Sequence, residues 1–266
     1  MSPESGIGTA NTIINTRFNT YYSGGFTCED NTLFNYVIDK VPAVTEANID
    51  QSLIVFVPNI REYYGVTKMY STGAAIAFCP PNDYDYPYDT RGILQHEAGG
   101  HGFGKLGDEY IYHSAFISTC NCACCDHVAA FNAAKALGWY ENMSLSGKMH
   151  EVPWSHLIFD SRYSDIVDIY EGGYMHSRGV YRSEQTSCMN NNIPYFSTIS
   201  REAIVKRIKA YAGEVYSFED FVKNDSREVI STSRSALNLN VSSRGSVHQH
   251  SPIIHQGSPL KNRKRK

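Results

Sequence analysis

The sequence predicts an α/β fold built around a small mixed sheet, and three observations lead there. Residues 52–57, Ser-Leu-Ile-Val-Phe-Val, form a β-rich apolar run of strand length closed by Pro58-Asn59. Residues 126–139 and 201–214 each repeat apolar side chains at helical spacing. Between these segments, residues 94–110 concentrate His, Glu, Asp and Gly at the end of a further helical pattern.

Taken in order, residues 1–50 alternate short apolar runs with Asn, Thr and Gly, and only residues 31–40 read as a helix. Residues 52–57 fit a buried central strand, and residues 70–78, with Gly73-Ala-Ala at their centre, fit a weaker second one. Residues 79–89 hold Pro, Asn and Asp in the proportions of a surface loop. Thr90 is placed to cap a helix that continues through Ile93, Leu94, Glu97 and Ala98 to about residue 103. Asp126 caps the next helix, whose Val128, Phe131, Ala134 and Leu137 share a face. Residues 141–200 read as loops, and residues 201–214 as a helix with Ile204, Ile208 and Tyr211 on its apolar side. From about Asp225 the composition turns to Ser, Asn, Gln, His and Arg, which predicts an extended or disordered tail over 225–266 behind a single domain of 1–224.

Composition excludes several classes. With 42% hydrophobic residues, 12% aromatic and 19% charged, the 266-residue chain is neither wholly disordered, coiled-coil nor collagenous. No apolar run reaches the length of a membrane span. The formal charge of −3 conceals an acidic body and, from Arg227 onward, eight Lys/Arg against one acid, a division that argues against a nucleic-acid-binding domain. Four of the seven cysteines fall in Cys120-Asn-Cys-Ala-Cys-Cys125, which lacks the spacing of a strong zinc motif and reads as disulfides or plain thiols ahead of a metal cluster. The first residues, Met-Ser-Pro-Glu-Ser-Gly, show no signal-peptide pattern.

The chemistry concentrates in His96-Glu-Ala-Gly-Gly-His101, followed by Asp108. In the zinc-protease pattern two His on one helix face bind the metal, and the Glu beside the first accepts a proton from the attacking water. That pattern spaces the His four apart, whereas His96 and His101 are five apart. Five steps of about 100° overshoot to about 140°, turning the second ring away from the first. Either a π-bulge at Gly99-Gly100 absorbs the extra residue, or His101 is no ligand; the paired glycines, each costing about 1 kcal/mol in a helix interior, favour the bulge.

The segment ending Leu106-Gly-Asp-Glu-Tyr110 resembles the active-site segment of the bacterial IgA-peptidase family of zinc metallopeptidases, in its Bacteroides-type form. Ser2-Pro-Glu-Ser-Gly6, Tyr170-Glu-Gly-Gly-Tyr174, Gly179-Val-Tyr-Arg182, Ser187-Cys-Met-Asn190 and Tyr195 to Arg201 resemble other parts of its catalytic region, so the likeness spans most of residues 2–215. The resemblance implies a zincin or metzincin-like catalytic domain with an active-site helix and a Met-turn at Met189. It implies one Zn²⁺ per chain held by His96, His101 and Asp108, with Glu97 as general base and Glu109 as rival third ligand. Tyr174 and His176 stand where such enzymes can steady an oxyanion, though surface positions without catalytic duty are the plainer reading; Tyr110 reads as packing. The resemblance also implies an exported endopeptidase lacking the family's N-terminal part, acting on protein or peptide substrates, immunoglobulin-type by the family name. Two rivals stand beside it: a non-catalytic relative that binds protein or glycan, and a metal protein centred on residues 120–125. His248, His250 and His255 lie in the tail and are not assigned to a site.

Overall fold

The computed structural model describes residues 21–22, 26–58, 64–119, 126–226 and 252–260. Ser2–Gly6, Cys120–Cys125, His248 and His250 lie outside the described residues. The architecture is mixed α/β, divided into two compact units, one within Met1–Phe103 and Val247–Lys266, the other within Gly104–Ser246.

The first unit opens with a short antiparallel pair, β1 (Tyr21–Tyr22) and β2 (Phe26–Thr27), and the helix α1 (Asp30–Lys40). Its main sheet takes β3 (Leu53–Phe56), β4 (Val66–Tyr70), β5 (Ala75–Phe78) and β10 (Ile253–His255) in the order β10-β4-β5-β3. β4 and β5 run antiparallel, while β3 and β10 join the outer edges parallel to their neighbours. Alternation along β5 separates two cores. Ile76 and Phe78 pack with Leu33 and Phe34 of α1, and Ala77 on the opposite face packs with Cys79, Ile93 and Ala98.

Three sequence expectations change here. The run at 52–57 is an edge strand with Val55 and Val57 exposed, and β4 is central instead. Hydropathy hides β4 because its buried Lys68 and Thr67 are polar; Lys68 is satisfied by Asp30 at 2.8 Å and Thr67 by Glu97. Within 225–266, residues 252–260 are ordered into the first unit: Ile253–His255 pairs in register with Lys68–Tyr70, and the His255 ring stacks on Tyr70. A strand of three residues is too short for periodicity to announce. Asp225, expected to begin the tail, is gripped by both Nε and Nη2 of Arg201 at 2.7 Å.

Asp89, one residue earlier than expected, caps α2 (Thr90–Leu94), its carboxylate accepting from the N–H groups of Arg91 and Gly92. The chain continues without a break into a π-helical segment, Gln95–Phe103. Gly102 lets that segment lie against the sheet, since a Cβ there would stand 2.5 Å from Leu53 Cδ1.

The second unit is organised on β9 (Met175–Arg182). β6 (Ile111–Phe116) pairs parallel with it, and β7 (Met143–Ser144) and β8 (Tyr170–Gly173) pair antiparallel. Strands β7, β8 and β9 replace loops expected over 141–200; β8 is rich in glycine and β9 carries His, Ser and Arg, so neither shows an apolar alternation. Asp126 caps α3 (His127–Ala136) by accepting from Ala129 N at 3.0 Å, as its position predicts. Short helices α4 (Ser155–Ile158) and α5 (Cys188–Asn191) precede α6 (Thr198–Ala212) and α7 (Phe218–Asn224). The expected apolar side of α6 is only partly used: Ile208 and Tyr211 are about half exposed, and burial falls on Ile199, Glu202 and Ala203 in its first half. Glu202 is satisfied there by His156 and Tyr216.

Candidate metal centre

In a π-helix the backbone bond spans five residues, and this wider turn brings side chains five apart to the same side of the helix. Gln95–Phe103 takes that form over nine residues, a longer departure than a single bulge at Gly99-Gly100, and it solves the spacing problem of His96 and His101. Their Nε2 atoms face each other at 3.1 Å, and both rings are buried. Two imidazoles on one tetrahedral Zn²⁺, each about 2.0–2.1 Å from it, would hold their nitrogens about 3.3 Å apart. The pair therefore fits a shared ion. Asp108, also buried, contributes the third ligand atom of a group whose members all lie within 4.8 Å of one another. Two imidazoles and a carboxylate form a donor set that suits zinc and leaves a fourth position for another ligand.

Glu97 is 2% exposed and is shaped from β4. Thr67 Oγ1 donates to Glu97 Oε2 at 2.7 Å and lies 3.0 Å from the Glu97 carbonyl. Gly65 makes room: a Cβ at that position would come within 2.6 Å of Glu97 Cγ and 2.7 Å of Oε1. Thr67 and Gly65 were missed from the sequence because they precede Glu97 by about thirty residues, in β4 and just before it, where the chain has no motif of its own.

Asp108 and Glu109 are held by backbone bonds on two sides. Tyr174 N donates to Asp108 O, and Glu109 N donates to Met189 O, each at 2.8 Å. Met189 is fully buried with Leu106 and Ala203. The carboxyl of Glu109, the rival ligand, is instead engaged by Asn142 Nδ2 and by the Ser187 hydroxyl, which also caps α5 by accepting from Met189 N. Burial pushes Glu109 up to about 7, against the opposing pull of these hydrogen bonds. Its partners tie residue 109 to the loop that carries Met189. Tyr174 and His176, read ahead as surface positions, are buried: Tyr174 packs against Phe131 and Tyr140, and His176 lies among His113 and His127. Tyr110 is buried beside Tyr112.

Lys105 is buried with its ammonium 5.2 Å from the Trp139 ring centre. Desolvation, aided by Arg207, lowers its pKa to about 7. The unfolded chain keeps that proton up to the ordinary value of 10.5, so the unfolded state binds more protons between about pH 7 and about pH 10. Stability should rise with pH across that window, by up to about 1.4 kcal/mol per unit from this one group. Lys105→Met should remove the increment in urea melts taken along the window; an unchanged slope would show that the lysine is not held neutral.

Compared with models of known protein families and with curated proteins, the sequence matches none.

Proposed function

We propose that this chain is a zinc-dependent endopeptidase, related to the bacterial IgA-peptidase family. The observation that carries the reading is the facing of the His96 and His101 Nε2 atoms at 3.1 Å across a five-residue π-helical spacing, with Asp108 completing the group. Zinc held by these three side chains would supply Lewis-acid polarisation of a scissile carbonyl and make water nucleophilic near neutral pH. Glu97 accepts the proton of that water and passes it to the leaving amine, since a carboxylate beside the first His is the base within reach. Thr67 fixes Oε2 of Glu97, so the carboxylate enters the reaction already oriented. Met189, packed under Leu106 and bonded through its carbonyl to Glu109, serves as the floor that keeps residues 106–109 in register.

Protein or peptide chains are the substrates in this reading, immunoglobulin-type ones among the first to try, and the enzyme acts after export. No helix among the described residues is long and apolar enough to cross a membrane. The direct test is purified full chain assayed for zinc by mass spectrometry and for cleavage of unfolded protein substrates with and without a chelator. About one zinc at this centre and chelator-sensitive cleavage are expected; zinc without cleavage of any peptide would turn the reading to a binding protein.

A smaller test addresses the support of Glu97. Gly65→Ala forces its side chain to move, and displacement of a catalytic group by about 1 Å can cost about 100-fold in rate. The expected result is a fall in kcat of about 10- to 100-fold with KM and zinc content nearly unchanged. Full activity in that variant would mean the carboxylate does not act from its present position.

A further inference from the structure

The turn that links β8 to β9 is held in a costly conformation. Gly172, Gly173, Tyr174 and Met175 take positive φ in succession, at 108°, 155°, 45° and 68°, which the two residues with side chains adopt only under restraint. Several contacts supply that restraint. Arg182 Nη1 donates to Gly172 O at 2.6 Å, Tyr174 N donates to Asp108 O, and Met175 N donates to Tyr110 O. The Tyr174 ring packs against Phe131 of α3, with His127 on the same helix 6.0 Å away. Finally, His176 Nδ1 is bonded to the carbonyl oxygen of Tyr174 at 2.5 Å, and because a carbonyl only accepts, Nδ1 carries the proton. The turn and the backbone of residues 108–110 are therefore fastened together, and a histidine fastens the turn.

The surroundings of that histidine accept it only as the neutral ring. His176 is fully buried, and Nε2, where a second proton would go, has no hydrogen-bond partner among the described residues. Protonation would place a charge and an unanswered N–H in the interior. The titratable groups facing His176 are His127 from α3, with ring centres 4.9 Å apart, and His113 from β6, at 5.7 Å. Both are imidazoles that become cations in the same pH range. β8 meets His176 at Gly173, and no carboxylate among the described residues acts on it. Asp126 acts on the buried His127, against desolvation and His113. Desolvation, with these neighbours, holds His127 and His176 below the ordinary value of 6.5. An opened turn therefore takes up protons that the closed turn refuses as pH falls through about 6.5. The closed form is at full strength above that pH and weakens below it.

We infer that His113, His127 and His176 form an acid-sensitive latch: as neutral rings they keep the β8–β9 turn closed against α3 and β6, and their protonation releases the turn together with its hold on residues 108–110. The bistable element is the run of positive φ, which relaxes once the His176 bond to Tyr174 is lost. His113 lies at the surface, so protons reach the cluster from the β6 side. The latch depends on no part of the peptidase reading.

The test is amide hydrogen exchange on the full chain at about pH 7.5 and about pH 5.5, expressed as protection factors so that the slower chemical exchange in acid is removed. The Tyr174 and Met175 amides should lose about 10- to 100-fold of their protection at the lower pH. Each histidine kept neutral contributes up to about tenfold per pH unit below its ordinary value. The Ala75 amide, which donates to Ser52 O in the first unit, should keep its protection. His176→Asn retains a donor near the place of Nδ1 but takes no proton, and should remove about tenfold of the acid loss. His113→Asn is a surface change expected to fold even if His176→Asn does not, and by relieving repulsion it should shrink the loss as well. Equal protection of Tyr174 and Met175 at both pH values overturns the latch. So does an acid loss undiminished in His113→Asn and in any His176→Asn that folds. Parallel loss at Ala75 would mean general acid unfolding, and overturns it too.

Discussion

Glu97→Gln should retain zinc and lose peptide hydrolysis by about 1000-fold, because a positioned general base commonly contributes about 100- to 10,000-fold. That loss corresponds to about 4 kcal/mol of transition-state stabilisation. The substitution is nearly isosteric, so it preserves the space beside Gly65, and an amide oxygen can still accept the Thr67 hydroxyl bond seen at 2.7 Å. What disappears is the ability to take a proton at neutral pH. Zinc content, melting temperature and KM should therefore stay close to those of the native chain, while kcat collapses. A Glu97→Gln protein that cleaves substrate at the native rate would remove Glu97 from the mechanism and leave the centre without its base.

His101→Ala should abolish zinc binding at the centre, and the contrast with Glu97→Gln separates holding the metal from using it. Removing one of three protein ligands is more severe than removing a supporting contact, which by itself costs about 10- to 100-fold in affinity. The native chain should melt higher as zinc is added, by the equivalent of about 2.7 kcal/mol when zinc stands at 100 times its dissociation constant. In His101→Ala the part of that rise due to this centre should vanish, together with catalysis. The result decides whether the five-residue spacing is tolerated, since only the π-helical form directs His101 toward His96. Zinc occupancy of the centre unchanged in His101→Ala would show that the two facing rings are a packing pair and not a ligand pair.

Much of the candidate centre was legible in the sequence because it is local. His96, Glu97, His101 and Asp108 lie on one short run of chain, and the misfit between a five-residue spacing and an α-helix, with two glycines between, already favoured a wider turn over a His101 that is no ligand. The length of that turn was not legible. A single bulge would have served, whereas Gln95–Phe103 is π-helical throughout. Helices α1, α3 and α6 were visible for the same reason, since periodicity and caps such as Asp126 act within a few residues.

The strands behaved otherwise. The most apolar run proved to be the edge strand β3, while the central β4 carries a buried lysine whose partner, Asp30, lies on another element. Strands β8 and β9 were unreadable because their glycines and polar residues are accommodated by pairing and not by hydropathy. The same holds for the groups that support the centre.

By itself, then, the sequence determined which residues are candidates for ligand and base chemistry and their order, and it favoured a local backbone wider than an α-helix between two of them. Only the tertiary structure decided that Thr67 and Gly65 shape Glu97, that Asn142 and Ser187 occupy Glu109, and that Ile253–His255 completes the first sheet. The physical reason is one of range. Helical turns and caps are closed by groups a few residues apart, whereas strand order and the partners of buried polar side chains depend on groups far apart in the chain, whose meeting leaves no periodic trace in the sequence.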